Sequence, residues 1–219
     1  MGKLKGANNA AITQFPSPLS PKKKIKSVEE KIALISDRFR DIMEILGLDL
    51  QDESLARTPC RVAKMYVQEV FSGLDINNFP EISFIENKYH SPSKRSNIVF
   101  VKVSFTSFCE HHFVPMVGEA YIAYLPNKKL IGLSKIPRIV RFFASRPQVQ
   151  ERLNAQIADS LSILLESQDV AVSLTAQHFC VAARGIEDTN GFASTNVLLG
   201  KFETDFGIKE EFFEAIQRK

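Results

Sequence analysis

Hydrophobic residues recur at two different intervals along this chain of 219 residues. After Ser27, the residues Ile32, Ile35, Phe39, Ile42 and Leu46 fall three or four apart, the interval of one helix face. Ser27-Val28-Glu29-Glu30 in front of them is a capping box, and Gly47 behind them is a stop. Glu30, Lys31, Asp37, Arg38 and Asp41 fill the other side, so this helix is expected at a surface. Thr58-Pro59 opens a second helix, with Thr58 as its cap, Val62, Tyr66, Val67 and Val70 as its apolar side and Gly73 as its end. Ile82 to Glu86 reads as a short strand and Lys88 to Asn97 as a polar loop whose His90 is expected to be exposed.

The interval then shortens to two. Val99, Val101, Val103 and Phe105 alternate with Lys102, Ser104 and Thr106, which predicts a half-buried strand from Ile98 to Phe108. Gly118 to Leu125 predicts the next strand, and Pro126-Asn127 the turn after it. Ser134 is placed to cap a helix that buries Ile136, Ile139, Val140 and Phe143. A further helix starts after Pro147 and turns Val149, Leu153, Ile157, Leu161 and Leu164 to the core. Val170, Val172, Leu174, Ala176, His178, Cys180 and Ala182 fall on one face of a predicted strand, and Arg184 continues it. Ser194 to Phe202 reads as the last strand, and Lys209 to Arg218 as a closing amphipathic helix. Helices, strands, two helices, strands and a helix in that order predict an α+β fold with a mostly antiparallel sheet.

Composition adds an asymmetry. The 28 basic and 25 acidic residues give a net charge of +3, yet six of the lysines and none of the acids lie in the first 28 positions. The remainder carries 22 basic against 25 acidic residues, so the folded part is not expected to bind nucleic acid. Residues 1–26, with Pro16, Pro18, Pro21 and the Lys22-Lys23-Lys24 run, read as a disordered basic tail before a domain over 27–219. No apolar run is long enough for a membrane helix, and the first residues have no apolar stretch of the kind a secretory signal needs. Three cysteines make no disulfide framework, so a reducing, cytoplasmic setting is expected.

The chemistry is concentrated in two places. Cys109-Glu110-His111-His112 and His178-Phe179-Cys180 hold three of the four histidines and two of the three cysteines. Cys109 and His112 are spaced so that one turn can aim both at one ion, and on a strand His178 and Cys180 would share a face. Two thiolates and an imidazole with a fourth position open are how catalytic zinc is held. The remaining imidazoles would then be free to move protons at neutral pH. A structural site with two cysteines and two histidines, or unlinked core residues, is the competing reading.

Two helix starts carry cations. Arg61 and Lys64 follow Thr58-Pro59, and Lys135 and Arg138 follow Ser134. Acids are what a helix N-terminus favours, so cations there suggest a solvated face or a site for an anion such as phosphate. Glu151 opens the helix after Pro147, either as a dipole-favoured acid or as an acceptor for a ligand. The residues alone thus suggest a phosphorylated substrate cut beside zinc, and do not name the bond.

The motifs Thr58-Pro59-Cys60-Arg61, Cys109-Glu110-His111-His112-Phe113, Ile131-Gly132-Leu133-Ser134-Lys135-Ile136-Pro137-Arg138, Arg146-Pro147-Gln148-Val149-Gln150-Glu151 and His178-Phe179-Cys180 with Ala183-Arg184-Gly185 occur in that order. Together the chain from about residue 30 to its end resembles GTP cyclohydrolase I of the bacterial kind. The resemblance implies a tunnelling fold with helices at 27–80, a core over 81–219, and a toroidal homodecamer of two pentamers with sites between subunits. It implies conversion of GTP and water to 7,8-dihydroneopterin triphosphate and formate, the entry to pterins and tetrahydrofolate. It implies zinc on Cys109, His112 and Cys180, with His111 and His178 as the acid–base pair. It implies Glu151 and Gln150 at the guanine edge. Ser134, Lys135, Arg138 and Arg184 would hold the triphosphate, with Arg61 from a neighbouring subunit.

The chain departs from the family pattern at Cys60, where histidine is usual, in the stretch from Asp188 to Val197, which has fewer hydroxyls, and in its basic tail. Those departures leave a second reading open, a regulatory or non-catalytic relative that keeps the fold and the zinc site. Zinc deaminases are excluded, because neither a His-x-Glu nor a Cys-x-x-Cys is present.

Overall fold

A computed structural model of the chain describes residues 19–20, 26–88 and 97–218. The expected lysine run at 22–24 and His90 lie outside the described residues. The first helix, α1, spans Val28–Ile45. Its capping box is complete: Glu30 N donates to Ser27 Oγ at 3.1 Å, and Ser27 N donates to Glu30 Oε2 at 2.8 Å. Gly47 takes the left-handed conformation that stops it. Of its residues only Met43 is buried; Ile42, Ile45 and Leu46 stay exposed.

Helix α2 spans Thr58–Lys64 and begins one residue earlier than expected. Arg57, not Thr58, takes the cap position, because its carbonyl already accepts from Arg61 N. The expected run to Gly73 is interrupted. Met65–Val70 forms a wider turn, closed by Phe71 N donating to Tyr66 O at 3.1 Å, five residues back. Tyr66 and Phe71 stack at the ends of this turn, and Phe71 meets Phe108 edge-on.

Strands β1 (Phe84–Glu86) and β4 (Lys129–Ile131) pair as a small antiparallel ribbon. The main sheet contains β2 (Val99–Cys109), β3 (Pro115–Tyr124), β5 (Pro147–Gln148), β6 (Val170–His178) and β7 (Ala193–Leu198), in the order β5-β2-β3-β6-β7. All neighbours run antiparallel except β5, which lies parallel to β2 at the edge. The alternation foreseen in β2 is observed, with Val103 and Phe105 buried and Lys102, Ser104 and Thr106 exposed. Lys129–Ile131 and Pro147–Gln148 had no sequence signal, since neither is long enough to show a period.

Helices α3 (Lys135–Ala144) and α4 (Gln150–Leu165) cover one face of the sheet. Ile136, Ile139, Val140 and Phe143 meet Leu153, Ile157 and Leu161 over Val103, Phe105, Val172 and Leu174 in the main core. The helical turns α6 (Lys201–Thr204) and α7 (Phe206–Gln217) bring Phe202, Ile208 and Phe212 against Phe100 and Ala171 in a second cluster. The last strand therefore ends at Leu198, short of the expected Phe202, and the closing helix starts earlier than expected, where Asp205 caps it. Gly118 is required where β3 meets β6: a Cβ there would lie 2.0 Å from Thr175 O.

β6 also ends before the sequence suggests. Its last pair is His178 with Met116. The residue before Met116 is Pro115, which has no N–H to continue the ladder. Phe179–Ala182 coils instead into a single helical turn, α5. His178 and Cys180 therefore do not share a strand face. His178 ends the core-facing row, and Cys180 stands on the turn after it.

Candidate metal centre and histidine pair

β2 and β6 end at the same edge of the sheet, and that edge gathers the site. Cys109 is the last residue of β2, and the chain turns back at once: Phe113 N donates to Cys109 O at 2.9 Å, and Cys109 N donates to Val114 O at 2.9 Å. The turn needs Phe113 in a left-handed conformation, φ 53°, which costs about 1 kcal/mol or more in a residue with a Cβ. Packing holds it there. Phe71 lies 5.2 Å from Phe113 and 5.7 Å from Phe108 between ring centroids, and Tyr66 lies 5.2 Å from Phe71. These aromatics were not foreseen as part of the site, because the wide turn at Met65–Val70 breaks the helical period that would locate them.

The ligand atoms of Cys109, His112 and Cys180 all lie within 4.8 Å of one another. Cys109 is buried, Cys180 partly so, and His112 is exposed, so the set is closed on the protein side and open on the other. Burial first, and then the neighbouring Cys109 thiol, push the Cys180 thiol above its ordinary pKa. A thiol raised in this way beside a second sulfur is one that a dication would ionise on binding. Two sulfurs and one nitrogen at this separation suit zinc, and three protein ligands leave a position open. Cys60 is exposed on α2 and takes no part.

The turn is tied to α4. Glu110 N donates to Gln148 O at 2.9 Å, and the Glu110 carboxylate accepts from Arg152 Nη2. Arg152 also donates from Nε to Gln148 Oε1 at 3.0 Å and from Nη2 to Pro147 O at 2.9 Å. His111 is largely exposed, with its Nδ1 3.7 Å from Cys109 Sγ and its Nε2 4.0 Å from Glu110. Neither Glu110 nor Arg152 was singled out in the sequence, where a charged pair far apart along the chain carries no signal.

His178 is half-buried, and its Nε2 lies 2.8 Å from Gln150 Oε1. Burial lowers its pKa below the ordinary histidine value, while the nearby Glu151 carboxylate works in the opposite direction. The imidazole is therefore neutral at pH 7. Gln150 itself is buried, and its side-chain amide is committed to protein groups. Glu151 is exposed beside it. Arg184 is exposed after α5, near enough to Cys180 to favour its thiolate.

Among the described residues, no hydrogen bond or ion pair joins the remaining expected residues to this cluster. Ser134 occupies the cap position of α3, but it takes a helical conformation and its hydroxyl makes no cap bond. The expected side-chain cap is thus absent, and Gly132 O accepts from Lys135 N at 2.8 Å instead. Arg138 lines a cleft of about 240 Å³ with Ser72, Asn78, Arg141 and Phe142; none of the three ligand residues lines it. Arg61 is exposed on α2 and makes no ion pair among the described residues. No helix among the described residues is long and apolar enough to cross a membrane.

The α+β fold thus gathers two thiols and an imidazole at the end of its sheet, a group that could hold a metal ion. The family model described as GTP cyclohydrolase I matches residues 35–217. A protein of Photobacterium profundum named GTP cyclohydrolase 1 is 53% identical over 195 residues, 89% of this chain and 88% of the relative. Proteins of the same name from Aeromonas hydrophila and Vibrio cholerae are 51% and 49% identical, covering 87% and 92% of this chain and 86% and 90% of their own lengths. The chain belongs to the GTP cyclohydrolase I family.

Proposed function

We propose that this protein opens the imidazole ring of GTP with water and recloses the product, giving 7,8-dihydroneopterin triphosphate and formate for pterin and folate synthesis. The observation that carries this reading is the convergence of Cys109, His112 and Cys180 beside a neutral His178 in a chain of this family. Cys109, His112 and Cys180 would hold zinc, which supplies Lewis acidity and an activated water at neutral pH when bound. His178 would accept a proton from the water that adds to C8 of the guanine, and His111 would return one to the ring nitrogen that leaves. Glu151 would accept from the guanine edge. Ser134, whose hydroxyl makes no cap bond, would join Lys135, Arg138 and Arg184 around the triphosphate.

The exposed apolar residues of α1 support assembly with further copies, which by the family resemblance would be a ring of two pentamers. Arg61 would then serve a neighbouring subunit's site. The test is formate release from GTP by the zinc-loaded protein, with neopterin fluorescence after oxidation. Equal amounts of both products are expected. Zinc-loaded protein that yields neither would point instead to a non-catalytic relative.

A further inference from the structure

Gln150 is 2% exposed and packs against the end of the β6–β7 ladder, where Leu174 pairs with Thr195 and Ala176 with Ala193. The two hydrogens on its Nε2 are shared among Leu174 O at 3.2 Å, Ala193 O at 3.1 Å and Thr195 Oγ1 at 3.2 Å. Two of those partners are backbone carbonyls, which only accept. The amide therefore cannot be turned over, since its oxygen would then face two other oxygens. Its Oε1 is fixed toward His178 Nε2 at 2.8 Å, and an amide oxygen also only accepts. So Nε2 of His178 carries a hydrogen, and Nδ1 is the ring nitrogen left to take up and return a proton.

We infer that Gln150 is a positioning residue that sets the tautomer and orientation of His178, so that proton transfer runs through Nδ1, and that its side chain does not read the guanine. The inference rests on the proposed reaction and names one residue's part in it. β7 is the buttress. Ala193 and Thr195 hold the amide, and Thr195 Oγ1 also accepts from Asn154 Nδ2 at 3.2 Å. This gives the stretch in which the chain departs from its family a use: its Thr195 hydroxyl lies two hydrogen bonds from His178. A histidine held by a partner that cannot change hands offers the same nitrogen in every turnover, which free imidazole does not.

The test compares kcat and KM for formate release in the wild type, Gln150→Met, His178→Ala and the double variant. Gln150→Met is expected to lower kcat by about 10- to 100-fold with KM for GTP changed less than about twofold. In the His178→Ala background it is expected to cost less than about threefold, because it acts through the residue already removed. A KM raised tenfold with kcat kept, or equal losses in both backgrounds, overturns the inference. Thr195→Val removes one acceptor and should lower kcat by about two- to fivefold in the same pattern, which keeps the test open if Gln150→Met fails to fold. Solid-state nitrogen NMR of histidine-labelled wild type reads the tautomer without any turnover. The signal lost in His178→Ala should show protonated Nε2 and bare Nδ1. The opposite tautomer would overturn the inference even in an active enzyme. A wild type that releases no formate but shows this tautomer would sink the proposed reaction and leave the positioning intact.

Discussion

The histidine end of the sheet and the cationic starts of α2 and α3 are built in opposite ways. At the sheet edge every group is already in place. Cys109, His112 and Cys180 converge, Arg152 holds the turn at Glu110, and Gln150 holds His178. All of these residues belong to one chain. Around α2 and α3, Arg61, Ser134 and Arg138 are exposed, and no side chain among the described residues is arranged to hold the two arginines. Under the proposed reaction the difference matches what each half would do. Proton transfer needs fixed atoms before the substrate arrives, whereas a triphosphate brings its own charge and can order long cations as it binds.

The largest expected effect strikes the preorganised half. Cys109→Ser or Cys180→Ser should remove the metal, read by elemental analysis, and lower formate release by about 10³-fold or more with the circular dichroism unchanged. Retained metal in either variant would dissolve the ligand assignment. Next, His178→Ala or His111→Ala should lower kcat by about 10²- to 10⁴-fold with the metal retained. Full activity in either would remove that histidine from the chemistry. In the open half the effect should be smaller and of another kind. Arg138→Ala should raise KM for GTP by about 10- to 30-fold with kcat changed less than about threefold, as expected for one charge-assisted contact. A collapse of kcat instead would mean that this half is preorganised too.

The smallest expected effect concerns pH. The folded pKa of His178 lies below its unfolded value because burial disfavours the charged ring. Its neutral form therefore persists as pH falls to about 6.5, where an ordinary imidazole is half protonated. kcat at pH 6.5 should stay above half of its value at pH 7.5. The same sign makes this residue cost stability only below about 6.5, where the unfolded chain takes up protons that the folded one resists. An activity already halved above pH 6.5 would contradict the burial of the ring.

The metal set was legible in the sequence because cysteine and histidine are scarce, so their crowding into two short stretches survives any uncertainty about secondary structure. The route by which they meet was read partly wrong. Alternation along β6 located His178 at the end of a core-facing row, but it carried the strand past Pro115's missing donor and put Cys180 on the same face. The wide turn at Met65–Val70, the parallel pair of β5 and the grip of Gln150 on His178 left no trace in periodicity. Each depends on one hydrogen bond or one inserted residue rather than on a repeated pattern. Arg61 and Arg138 are exposed at the helix starts, as either a solvated face or an anion site requires, but the cap expected of Ser134 was not made.

β5 is only two residues long, yet through it Cys109 lies opposite Gln148, just before the helix that carries Gln150. The N–H of Glu110, bonded to Gln148 O, is the peg of that joint. Strand edges breathe, and a single amide proton records each opening by exchanging with water. Because one opening would loosen both the cysteine turn and the seat of His178, the exchange rate at Glu110 measures how often the whole centre comes apart.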